Sequence, residues 1–191
     1  GVVYTGSVFE SNEGVGTLPL VAFSPYGLSK SLTAQVVEHG CREAGIAYGK
    51  FVIPNPFGPM EEPRFCSYLV RTWKAGEVAK VNTPAYVRDN IHVRLLGLAY
   101  VRYAEEIAAG RGTAKLNPAG YIGPQGVFAE RFAREMRGRL GLDCALELAR
   151  QTAFPEPMVR LNTFPSTSYI SEWDERAAWD EVAEGYLALL L

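Results

Sequence analysis

Apolar and polar positions alternate with two different periods along the first third of the chain. Leu28, Leu32 and Val36 fall four residues apart and so share one face of a helix. Ser24-Pro25 precedes them, a hydroxyl cap followed by a proline suited to the first helical position, and Gly45 supplies a stop. Ile46 to Ile53 are a mostly apolar run of strand length, ended by the loop Pro54-Asn55-Pro56-Phe57-Gly58-Pro59. Ahead of the helix, Gly1 to Tyr4 read as the end of a buried strand, Thr5-Gly6-Ser7 as a small polar turn, and residues 11–23 as a loop rich in Gly, Ser and Asn.

From residue 60 the texture changes. The pattern predicts a helix from about Arg64 to Lys74, a short extended piece leading to Arg88-Asp89, and a long helix from Val93 to Ala109 closed by Gly110. Thr113 to Leu116 and Cys144 to Leu148 are strand candidates. Pro124 opens a helix that buries Phe128, Phe132 and Met136 and turns Arg131, Arg134 and Arg137 to solvent. A proline-rich loop covers Phe154 to Pro165, and a final helix runs from Trp173 to Leu191. Strand, helix, strand followed by mixed elements predicts an α/β fold. Two regions are expected, a partial doubly wound unit over residues 1–59 and a mixed region over residues 60–191. A domain seldom starts inside a core strand, so the reading also expects residues ahead of Gly1.

Composition narrows the function classes. In 191 residues, 19 Lys and Arg stand against 21 Asp and Glu, a net charge of -2 that disfavours a nucleic-acid coat. An anionic ligand would have to be caught by a few placed arginines and backbone N–H groups. Three widely spaced cysteines, Cys41, Cys66 and Cys144, read as free thiols, and two histidines, His39 and His92, make a multi-histidine metal centre unexpected. Without a basic leader or an apolar run of about 20 residues, the expectation is a soluble, cytoplasmic chain that meets no membrane.

The informative chemistry lies in Ser24-Pro25-Tyr26-Gly27-Leu28-Ser29-Lys30. Tyr26 and Lys30, four apart, share a helix face, and an ammonium there favours the phenolate, so the phenol can exchange a proton with a substrate hydroxyl. The pair alone is weak evidence, since a half-buried tyrosine beside a solvated lysine has the same spacing. Its setting adds weight. A strand ends in Tyr4-Thr5-Gly6-Ser7-Val8-Phe9-Glu10, the next ends at Asn55 before Gly58-Pro59, and Tyr86-Val87-Arg88-Asp89-Asn90-Ile91-His92-Val93 follows.

This ordered set resembles the extended short-chain dehydrogenase/reductase superfamily, in its nucleotide-sugar epimerase/dehydratase branch. The resemblance extends to about residue 140. It implies the C-terminal part of a Rossmann-type parallel sheet plus a smaller mixed α/β substrate-binding region. It further implies that Thr5 hydrogen-bonds the reacting sugar hydroxyl and Tyr26, that Tyr26 is the general base or acid, and that Lys30 binds the nicotinamide ribose. Ile53 and Pro54 would line the nicotinamide pocket of NAD or NADP, with NAD favoured. Ser7 and Asn55 would touch the sugar, and Arg88 would grip the diphosphate of a nucleotide-diphosphate sugar. The branch commonly forms homodimers through the helix carrying Tyr and Lys, and Leu32, Val36 and Val37 give that helix an apolar face.

Three departures qualify the resemblance. Sugar dehydratases of the branch place Asp and Glu directly after the catalytic threonine; Gly6 and Ser7 stand here, which favours epimerase or 4-ketoreductase chemistry. Arg94-Leu95 follows His92-Val93 where an aspartate is usual, leaving the hydrogen bonding at that helix start open. The Gly-rich turn that seats the cofactor pyrophosphate is missing, and Gly14-Val15-Gly16 reads as a simple turn. The chain is thus expected to hold the catalytic half of a longer enzyme and to be inactive alone. Two rival readings stand, an NADPH-dependent reductase of a small carbonyl compound and a non-catalytic binding module. Elsewhere, His92 reads as a packing residue, Asp89 as either orienting Arg88 or capping the next turn, and Arg64 and Arg160 as loop arginines that could reach a diphosphate.

Overall fold

The computed structural model of the chain describes residues 1–16 and 20–189. Residues 17–19 of the expected loop and 190–191 of the expected last helix lie outside the described residues. The first layer is a parallel sheet. Strand β1 (Val2–Ser7) precedes β2 (Val15–Gly16), a two-residue segment, and helix α1 (Pro25–Glu43). Strand β3 (Tyr48–Ile53) then returns beside β1, with Thr5 opposite Phe51 and Ser7 opposite Ile53. Thr5-Gly6-Ser7 is therefore strand and not the expected turn, because each residue completes a rung with β3. The α1 boundaries follow the sequence signals: the Ser24 hydroxyl accepts from the Gly27 N–H at 3.1 Å, and Gly45 sits just past the end with φ +64°.

Strand β4 (Asn55–Phe57) occupies the stretch expected to be loop. It pairs in parallel with β6 at the edge of its sheet, where Pro56 costs no ladder hydrogen bond. Helix α2 (Phe65–Lys74), strands β5 (Ala79–Val81) and β6 (Val87–His92) and helix α3 (Val93–Ala108) come next. Strand β7 (Lys115–Leu116) joins the outer side of β3, giving the order β1-β3-β7. Short strands β8 (Pro118–Ala119) and β9 (Tyr121–Pro124) lead into α4 (Gln125–Leu140). The chain then runs through β10 (Leu146–Leu148), β11 (Arg160–Leu161), β12 (Phe164–Pro165), α5 (Ser166–Tyr169) and α6 (Glu175–Leu189). In the stretch expected to be proline-rich loop, β11 pairs with β2 and β12 with β8.

Two cores result. Phe51 of β3 and Leu95, Ala99, Tyr103 and Ile107 of α3 are buried together, so α3 covers one face of the first sheet while α1 covers the other. Phe57, Phe128, Phe132, Met136, Trp179 and Tyr186 form the second core between α2, α4 and α6. His92 packs there as expected. Its Nδ1 accepts the Arg94 N–H at 3.0 Å, so its Nε2 donates to the Ala178 carbonyl at 3.1 Å. This cap answers the question left by the missing aspartate. Cys41, Cys66 and Cys144 are all buried and free. Arg131 is not simply solvated: its guanidinium lies over the Tyr121 ring and pairs with Glu175.

Asp89 neither orients Arg88 nor caps a turn. It is fully buried, its Oδ1 accepts the Gly120 N–H at 2.7 Å, and its Oδ2 is unpartnered. Burial raises its pKa to about 7. Between the ordinary carboxyl value and 7 the folded chain keeps a proton that the unfolded chain has lost, so stability falls as pH rises through that window. Asp89→Asn keeps the acceptor and removes the charge. It should raise stability at pH 8 by roughly 2–4 kcal/mol, at about 1.4 kcal/mol per unit, and change little at pH 4. Denaturant melts at the two pH values check this; an equal effect at both would contradict it.

Candidate active site

The carboxyl ends of β1 and β3 and the first two turns of α1 meet at one cleft. What sets their spacing is Gly27: a Cβ there would lie 2.2 Å from the Phe9 carbonyl oxygen. The bare backbone lets the helix start press onto the turn after β1, which holds Tyr26 and Lys30 beside the strand ends. Thr5, Ser7, Tyr26, Lys30, Ile53, Pro54 and Asn55 all line a cavity of about 490 Å³. Seven of the eight residues expected at the site are thus brought together from four elements, β1, α1, β3 and β4, and from Pro54 between β3 and β4.

Within the cleft the contacts differ in detail from what the resemblance implies. Tyr26 is 56% exposed at the mouth. The Lys30 ammonium donates to the Thr5 carbonyl and lies 4.6 Å from the centroid of the Tyr4 ring, while the Tyr4 hydroxyl donates to the Lys30 carbonyl at 2.9 Å. Thr5 Oγ1 lies 3.2 Å from the hydroxyl of Tyr100 on α3, so its hydrogen-bond partner here is Tyr100 and not Tyr26. A hydroxyl has one proton and two lone pairs, which leaves Thr5 capacity for a ligand. Tyr100 was not singled out from sequence; it shares the apolar stripe of α3 with Tyr103, and nothing in the pattern marks it out.

A buried ion cluster fixes the floor beside Ser7. Lys50 Nζ reaches Glu10 Oε2 at 2.6 Å and Glu13 Oε1 at 2.8 Å, and Lys115 meets Glu13 Oε2 at 3.1 Å. Burial alone would depress the Lys50 pKa, but hydrogen bonds to both carboxylates hold it above its usual value. Glu10 Oε1 in turn accepts the Ser7 N–H at 2.8 Å. These opposite charges are 40, 37 and 102 residues apart in sequence and carry no local signal.

Arg88 lies apart from the cleft. It faces a neighbouring cavity of about 380 Å³, also lined by Asn90, Gln125 and Glu156, which shares Phe9, Asn55, Pro56 and Arg64 with the cleft. Its guanidinium is engaged: Nη1 donates to the carbonyls of Val87 and Pro157 at 3.0 Å and Met158 at 3.2 Å, and Nη2 meets Glu156 Oε2 at 3.1 Å. Burial lowers the guanidinium from its ordinary value, opposed by the Glu156 carboxylate. Arg160 is fully buried and donates to the carbonyls of Val8, Val21 and Glu10, so it is a brace for the loop and not a ligand arginine.

A parallel sheet with Thr5 near its carboxyl edge, and Tyr26 and Lys30 beside it on α1, makes this an α/β protein with a cleft at the ends of its strands. The model of the NAD dependent epimerase/dehydratase family matches residues 2–117, and the chain belongs to that family. Solved structures agree on the fold. UDP-N-acetylglucosamine 4-epimerase from Methanobrevibacter ruminantium, in complex with UDP-N-acetylmuramic acid, is 17% identical with a TM-score of 0.73, over 98% of this chain and 63% of its own. UDP-glucuronic acid 4-epimerase from Bacillus cereus, a mutant with NAD and a fluorinated UDP-glucuronic acid, is 12% identical with a TM-score of 0.70, over 99% and 62%. dTDP-glucose 4,6-dehydratase from Streptomyces venezuelae, with NAD bound, is 16% identical with a TM-score of 0.68, over 98% and 60%. The chain therefore spans less than two thirds of the length of these structures. No curated protein gives a match. Among the described residues, no helix is long and apolar enough to cross a membrane.

Proposed function

We propose that the chain forms the catalytic and substrate-binding part of an NAD-dependent epimerase or 4-ketoreductase acting on a nucleotide-diphosphate sugar. The observation that carries this reading is the single cleft lined by Thr5, Ser7, Tyr26, Lys30, Ile53, Pro54 and Asn55. These residues fit the nicotinamide end of NAD: Ile53 and Pro54 offer an apolar wall, and Lys30 a donor for a ribose hydroxyl. Among the described residues, the adenosine end has no such counterpart. Gly14 leads into β2, which pairs with β11 and opens no helix, so it forms no Gly-rich seat for the pyrophosphate.

When bound, NAD supplies the hydride acceptor and donor. The chain itself supplies the proton chemistry: the Tyr26 phenol takes the proton from a sugar hydroxyl in oxidation and returns it in reduction, with Thr5 holding the same oxygen. Dehydration fits poorly. Gly6 and Ser7 carry no carboxyl, and the nearest one, on Glu10, is committed to Lys50 and the Ser7 N–H. A dimer formed through α1 belongs to this reading, since Leu28, Leu32 and Val36 leave more than half of their surface exposed.

One observation favours reduction of a small carbonyl compound instead. With Glu156 already at its charge, Arg88 is a poor grip for a diphosphate. A thermal-shift panel separates the two readings. UDP-, dTDP- and GDP-sugars at 1,000-fold their Kd should stabilise the chain by about 4 kcal/mol, while NAD alone gives a small shift. No shift with any nucleotide sugar would overturn the proposal.

A further inference from the structure

We infer that Glu10 is a positioning residue for the sugar end of the cleft, acting through Ser7; the inference rests on the nucleotide-sugar reading above. Ser7 and Tyr26 line the same cavity, so a sugar held against Ser7 is presented to the phenol only as accurately as the end of β1 is held. Backbone pairing does not hold the Ser7 N–H. Alternate residues of β1 face β3: the Val2 and Val8 N–H groups donate to the Ala47 and Ile53 carbonyls at 2.8 and 2.9 Å. Ser7 falls between them and turns its N–H the other way, where its acceptor is a side chain, Glu10 Oε1 at 2.8 Å. The Glu10 N–H returns to the Ser7 carbonyl at 3.1 Å, and Ser7 Oγ accepts the Phe9 N–H at 3.2 Å. The Ser7 hydroxyl keeps its proton and one lone pair for a ligand.

Glu10 can act as a fixed point because it is fixed itself. It is fully buried, and Oε2 meets Lys50 Nζ at 2.6 Å, which Glu13 holds from its other side at 2.8 Å. Gly6 leaves the room for this. A Cβ there would lie 2.7 Å from Lys50 Cε and 3.0 Å from Glu10 Oε1. A carboxylate makes a stronger acceptor than a neutral group, and one held by a buried ammonium cannot swing to solvent. Glu10 lines a separate cavity of about 450 Å³ and no part of the cleft, so it reaches the sugar only through Ser7.

Two substitutions separate this role from the ion pair alone. Glu10→Met and Glu10→Gln both lose the pair with Lys50, so both should lower the melting temperature. Only the glutamine keeps an acceptor for the Ser7 N–H. Turnover of UDP-, dTDP- and GDP-sugars is measured in protein with a complete NAD site and counted per site that still binds the bare nucleotide. Glu10→Met should lower kcat about 10-fold with KM little changed, as a misplaced reacting group does, and Glu10→Gln should stay within about twofold of the parent. With Ser7→Ala already in place, Glu10→Met should cost little more, because the two act as one unit. Should Glu10→Met fail to fold, Glu10→Asp takes its place: it keeps the charge for Lys50 and draws the carboxylate back from Ser7 by one carbon. If the methionine or aspartate variant keeps kcat, if Glu10→Gln loses as much, or if the loss adds in full to that of Ser7→Ala, Glu10 does not position the sugar and the nucleotide-sugar reading stands. If the parent turns over none of these sugars, that reading fails and this inference with it.

Discussion

Tyr26→Phe, made in protein with a complete NAD site, should lower kcat by about 10²- to 10⁴-fold, the range lost with a general acid-base group. The substitution removes one oxygen from a ring that is 56% exposed, so folding and nucleotide binding should be untouched. Melting temperature and UDP affinity within error of the parent, together with the loss in turnover, would locate the defect in proton transfer. Turnover within tenfold of the parent would remove Tyr26 from the chemistry. Thr5→Ala offers a graded comparison, because the Thr5 hydroxyl already has Tyr100 as a partner and, in the proposed mechanism, would hold the same substrate oxygen without carrying the proton away.

The largest effect on stability is expected at Arg160. Its guanidinium is fully buried and donates to Val8 O at 2.6 Å, to Val21 O at 2.7 Å and to Glu10 O. Arg160→Met would remove three charge-assisted bonds to carbonyls, at about 1–3 kcal/mol each. The buried Val8 carbonyl loses its side-chain donor, while the Glu10 carbonyl keeps the Glu13 N–H at 3.4 Å, and removing a desolvated charge offsets part of the loss. A net loss of roughly 3–5 kcal/mol in chemical denaturation is expected. The same braces hold Val8, Glu10 and Val21 between β1 and α1, so weaker nucleotide-sugar binding should accompany the loss. A change below 1 kcal/mol would mean that water takes over the carbonyls and that the brace is dispensable.

How much of this could be read in the sequence depended on whether a feature was local. The cap at Ser24, the helix behind it and the strand ending near Ile53 rest on signals within one or two turns of chain, and they hold. The cleft was legible in part for the same reason, since Tyr26 and Lys30 are one helical turn apart; Thr5, Ser7, Ile53, Pro54 and Asn55 were reached through the family resemblance. The ion pair of Arg88 with Glu156 joins residues 68 apart, and Thr5 finds Tyr100 at a separation of 95. No periodicity reports such pairings, so Arg88 read as a free grip. The two-residue strands β2, β8, β11 and β12 are too short to show an alternation, and Asp89 looked like a partner for its neighbour because burial leaves no trace in a single sequence.

Gly27 bears on any attempt to re-engineer the cleft. Because the helix rests directly on a carbonyl oxygen there, even an alanine would have to lever α1 away from the sheet by more than half an ångström, and the phenol one position earlier would ride out with it. Pocket-widening libraries should therefore leave Gly27 and the first turn of α1 unaltered.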